Sequence, residues 1–125
     1  MAAVAAVLLL GGCSGAQDEP AAAAATEFLR SVDARNGAAA CDLLAPAARE
    51  EMASTAGKAC ALAVLEVELG PVRGRPNVRV FDSMAQVLVG SQTLFLSTYD
   101  GRWLVVAAAC TAVPHRPYDC SIGLP

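Results

Sequence analysis

The chain has 125 residues, 55 % of them hydrophobic, and a formal net charge of −3 from 9 basic and 12 acidic residues. That length suits a single core, and one domain is expected. The charge balance, with only Arg73-Gly74-Arg75-Pro76 locally basic, argues against a nucleic-acid partner, and after Cys13 no window holds the roughly 18 apolar residues of a spanning helix.

In chain order the first feature is an apolar run, Ala2 to Leu10, closed by Gly11 and Gly12 before Cys13; the sequence then turns polar at Ser14-Gly15-Ala16-Gln17-Asp18-Glu19. Its length is that of the apolar region of an export signal and too short to cross a bilayer. The competing reading, a buried strand or helix ending at a Gly-Gly turn, sits badly with the polar spacer that follows. Leu10-Gly11-Gly12-Cys13 resembles the lipobox of bacterial lipoproteins. The resemblance implies diacylglyceryl transfer to the Cys13 thiol, cleavage before Cys13, and an exported chain anchored by lipid to the outer face of the cytoplasmic membrane. No Lys or Arg precedes the apolar run, so this reading expects the true start to lie further upstream. The expected organisation is a signal peptide over 1–12, a lipidated Cys with a flexible spacer over 13–19, and one domain over 20–125.

Five cysteines are an odd number, and lipid on Cys13 accounts for the odd one. Cys41, Cys60, Cys110 and Cys120 then form an even set in an exported chain, where disulfides persist. Three connectivities are open; Cys41 with Cys60 and Cys110 with Cys120 is favoured because each pair is close in sequence and brackets an irregular stretch. The spacings match no zinc pattern and His115 is the only histidine, so neither a metal nor a cofactor other than the Cys13 lipid is expected.

Pro20 suits the first turn of a helix running through 21–35, with Ala25, Phe28, Leu29 and Val32 on one face, and Asn36-Gly37 stops it. A second short helix spans 38–45, and a third opens at Pro46 and runs through Met52, before a loop at 54–58. Arg49-Glu50-Glu51 reads as a solvated face of that third helix. A helical turn from Cys60 leads into a strand in which Leu65, Val67 and Leu69 alternate with Glu66 and Glu68. Past the breaks at Gly70-Pro71 and 73–77 the period becomes two, with strands expected at 78–81, 85–89, 93–99 and 102–109. Asp100-Gly101 is the strongest hairpin signal. The tail from Thr111, rich in proline, is expected to be irregular and stapled through Cys120.

Helices followed by an antiparallel meander predict an α+β domain, with the N-terminal helices packed in the concavity of a curved sheet of four to five strands. The helix carrying Phe28-Leu29 and the hairpin Tyr99-Asp100-Gly101-Arg102-Trp103-Leu104-Val105 ending at Cys110 resemble the NTF2-like superfamily (SnoaL-like, cystatin-like cone) over about 21–120. Cys110 with Pro117-Tyr118-Asp119-Cys120 resembles the small actinobacterial lipoproteins within it. That resemblance implies an apolar pocket between sheet and helix, where some members use an Asp or His for proton transfer.

Phe28, Phe95, Tyr99 and Trp103 are the candidate pocket wall, with core packing as their competing role. No catalytic set emerges beside them. Asp33, Asp42, Asp82 and Asp100 fall at helix positions or turns, His115 lies in a solvated loop, and no Ser or Thr stands in a nucleophile context. Two readings follow. One is a membrane-tethered, non-enzymatic module binding an envelope protein or a small ligand; the other is a SnoaL-like isomerase, cyclase or hydrolase for a small apolar substrate, which a closed cavity with an inward Asp, Glu or His would favour.

Overall fold

The computed structural model describes residues 15–115 and 117–123. The expected signal peptide and Cys13 lie outside the described residues. The first helix, α1 (Asp18–Asp33), places Asp18 and Glu19 at its positive end and Pro20 in its first turn, where a missing N–H leaves no bond unmade. Its buried stripe is Ala21, Ala25, Phe28, Leu29 and Val32, the face that the helical spacing indicates. After α1 the chain turns at Arg35, which takes a left-handed φ of 60°, and Asn36 starts α2 (Gly37–Asp42), its side-chain oxygen accepting from the Ala39 N–H at 3.1 Å. Pro46 opens α3 (Pro46–Ala56), which runs past the expected loop at 54 until Gly57 takes a left-handed φ of 64°.

After α4 (Cys60–Ala63) and one 3-10 turn (Val64–Glu66) the chain extends without joining the sheet. This corrects the strand expected through Leu69. Leu65, Val67 and Leu69 are half-buried against the core while Glu66 and Glu68 are exposed, so their alternation records one-sided packing and no ladder.

The sheet comprises β1 (Asn77–Phe81), β2 (Met84–Val89), β3 (Gln92–Tyr99), β4 (Arg102–Thr111) and β5 (Asp119–Gly123), antiparallel throughout in the order β1-β2-β3-β4-β5. The fold is thus α+β, with helices preceding an open five-stranded antiparallel sheet. Asp100 and Gly101 have φ of 50° and 78°, the paired positive values of a type I′ turn. The tail differs from the irregular segment expected, since residues 119–123 form the edge strand β5 and bury Ile122 fully.

The free side of β4 is shared between two partners. Toward its start, the Val105 N–H donates to the Leu43 carbonyl and the Ala45 N–H to the Val105 carbonyl, both at 2.8 Å; toward its end, Ala107 to Thr111 pair with β5. A bulge at Val106 makes the switch possible, because Leu96 faces Val105 while its neighbour Phe95 faces Ala107. The core lies between α1 and one face of the sheet, where Val87, Leu94, Leu96 and Val105 meet Phe28 and Leu29.

Candidate functional site

Cys41 bonds to Cys60, tying the end of α2 to the start of α4, and Cys110 bonds to Cys120 directly across the β4–β5 ladder. The favoured connectivity is the one present. Each bridge joins two regular elements; the irregular stretch expected between the cysteines is present between Cys110 and Cys120, where β4 ends at Thr111 and β5 begins at Asp119, but not between Cys41 and Cys60. Residues between Cys41 and Cys60 include the whole of α3.

The four aromatics named as a pocket wall do not come together. Phe28 is fully buried and Trp103 is 6 % exposed, both on the helix-facing side of the sheet. The Trp103 indole N–H donates to the Gln17 side-chain oxygen at 3.0 Å, which satisfies the polar tip of an otherwise apolar side chain. Phe95 and Tyr99 belong to the opposite face: Phe95 stands in register with Gln86 and Ala107, and Tyr99 with Arg102. Phe95 meets the Tyr118 ring edge-on at 5.1 Å, and the Gln86 side-chain N–H donates to the Tyr118 hydroxyl at 3.2 Å.

Around this pair the outer face of the sheet carries a groove of about 330 Å³ lined by Met84, Phe95, Val106, Ala107, Pro117 and Tyr118, with Cys120 at one side. The Cys110–Cys120 bridge holds the Pro117-Tyr118 segment against the sheet and so builds the groove wall. Its lining is apolar apart from the Tyr118 hydroxyl, and no carboxylate or imidazole enters it. Such a surface can hold an apolar group and offer it one hydrogen bond. Met84, Gln86 and Tyr118 were not singled out from the sequence as site residues. The available signal was Tyr118 two residues before a cysteine, which places an aromatic beside a staple.

The carboxylates are dispersed. Asp33 lies with Arg35, Glu66 and Glu68 along a broad open groove of about 660 Å³ between the end of α1 and residues 65–70. The Arg35 guanidinium donates to the Leu65 carbonyl there at 3.4 Å, while Lys58 pairs with Glu66. Asp42, Asp82, Asp100 and His115 are exposed. The 49–51 segment is more than a solvated face. Arg49 donates to the carbonyls of Cys41 and Leu44, at 3.0 and 3.4 Å, closing the end of α2, and one Glu51 carboxylate oxygen is buried without a hydrogen-bond partner. Among the described residues Thr93 is the one buried polar residue, and no group of three His, Cys, Asp or Glu could hold a metal ion. No family model, curated protein or solved structure matches the chain.

Proposed function

We propose that the chain is an exported lipoprotein, acylated at Cys13 and held on the outer face of the cytoplasmic membrane, whose domain is a non-enzymatic binding module of the cell envelope. The observation that carries this is the cysteine arrangement. Four of the five are paired in two disulfides, the chemistry of an oxidising compartment, and the fifth closes the lipobox-like Leu10-Gly11-Gly12-Cys13. We read the domain as an NTF2-like cone in which α1 fills the concavity, with the binding surface displaced to the outer-face groove at Phe95 and Tyr118. An envelope protein's apolar side chain or a small apolar ligand suits that lining. The SnoaL-like enzyme reading needs an inward Asp, Glu or His, and the space between α1 and the sheet is occupied by Phe28, Leu29, Leu94 and Leu96.

Growing bacteria that express the full chain with a labelled fatty acid tests the tether. The expected outcome is label on Cys13 and recovery in the membrane fraction, both lost on Cys13→Ser; a Cys13→Ser chain still wholly in the membrane fraction would sink the reading. Photocrosslinking from position 95 in intact cells then reads the groove, and a crosslinked species that disappears with Tyr118→Ala is expected.

A further inference from the structure

We propose, resting on lipidation of Cys13, that one end of the sheet lies on the bilayer interface through Phe81, Met84 and Tyr99. The argument begins with where α1 starts. The Thr98 N–H donates to the Ser83 carbonyl at 3.0 Å, Thr98 stands opposite Trp103, and the Trp103 indole holds Gln17. This row runs through the β1–β2 turn and the base of the β3–β4 turn, which occupy the same end of the meander. Gln17 immediately precedes α1, so the chain enters the domain at that end.

Cys13 and Gln17 are four residues apart, which sets an upper limit of about 14 Å between them whatever path the chain takes. An acylated Cys13 sits at the level of the lipid headgroups, so the same end of the sheet is held at the membrane surface. What it presents there is apolar. Phe81 is 61 % exposed, Met84 49 % and Tyr99 38 %, and Phe81 and Met84 face one another in the register. Aromatic rings with one polar tip favour the bilayer interface, and thioethers and phenyl rings enter its apolar edge. The adjacent charges are Arg102 against Asp82 and Asp100, with Asp18 and Glu19 at the start of α1, so no positive excess exists to attract anionic lipid. Contact is therefore apolar and indifferent to headgroup charge. Leu88, 37 % exposed beside the β2–β3 turn at the other end of the sheet, provides an internal comparison.

The test is hydroxyl-radical footprinting of the acylated full chain on phosphatidylcholine vesicles, read residue by residue as peptide mass and compared with the Cys13→Ser chain free in solution. Oxidation of Phe81, Met84 and Tyr99 is expected to slow severalfold on the vesicles while Leu88 is unchanged. A Phe81→Ser variant, altered at an exposed position outside the groove lining, is expected to restore oxidation of Tyr99. Acyl mass on Cys13 with all four residues oxidised as in the free chain overturns the docking and leaves the tether intact; absence of acyl mass overturns both. Protection confined to cell membranes and absent on pure lipid would assign the rim to a protein partner, and protection that requires anionic lipid would make the contact electrostatic. Either result overturns the proposal.

Discussion

At Gly37 the backbones of α2 and α4 approach so closely that a Cβ would overlap the Ala61 carbonyl oxygen. The Cys41–Cys60 bridge links these same two helices, so neither can retreat far to relieve a clash. Gly37→Ala should therefore destabilise the domain by the overpacking cost of a rigid contact, about 1–3 kcal/mol. Gly57 provides the contrast, because nothing stands within 4 Å of a Cβ there and only its φ of 64° resists substitution. Gly57→Ala should cost about 1 kcal/mol, the ordinary conformational penalty. Urea unfolding of both variants reads the difference. Equal losses would mean that the α2–α4 contact yields, and the close approach would then carry no special weight. The sequence marks Gly37 only as a helix stop, since the partner that demands glycine is 24 residues away and comes near through a disulfide.

At the scale of elements, the strands were legible where two independent local signals coincided. Val78–Phe81, Ala85–Val89 and the Tyr99–Arg102 hairpin combine period-two alternation with a turn whose residues accept positive φ, and the register follows. Residues 65–69 have the alternation without a partner, because a half-buried 3-10 turn leading into an extended segment and a half-buried strand write the same pattern. The converse failure is β5, whose five residues follow a proline-rich stretch and contribute a single buried apolar side chain, Ile122. The outer-face groove was hidden for a related reason. Its wall depends on β5 returning to β4, and the bulge at Val106 shifts which β4 side chains face it. If Cys110–Cys120 is what keeps β5 in place, a Cys110→Ser and Cys120→Ser double variant should lose about 3 kcal/mol of stability, the chain-entropy expectation for a loop of this length. Amide exchange should accelerate selectively at 119–123 while β2 and β3 keep their protection. Uniform acceleration over the whole sheet would show instead that β5 and the core open as one unit.

For the whole molecule, the two disulfides turn compartment into a folding condition. A single small domain has a stability of about 5–15 kcal/mol, and two loops of this size contribute about 3 kcal/mol each. The helices gain little independent support: α2 has six residues and α4 four, both far below the length at which a helix holds without packing. Cys41–Cys60 is the covalent link between those two short helices, of which α2 packs against α1, and Cys110–Cys120 links the last strand to β4. The reduced chain should accordingly melt about 20 °C lower than the oxidised one, from the usual conversion of stability into melting temperature for a domain of this size. Circular dichroism melts with and without reductant, with free thiols counted by alkylation and mass, check this. An unchanged melt with all four thiols free would show that packing between α1 and the sheet suffices, and the disulfides would then cease to argue for an oxidising compartment. A large fall would mean that a chain kept in a reducing cytosol reaches its native state poorly, so that the export proposed above would have to precede folding.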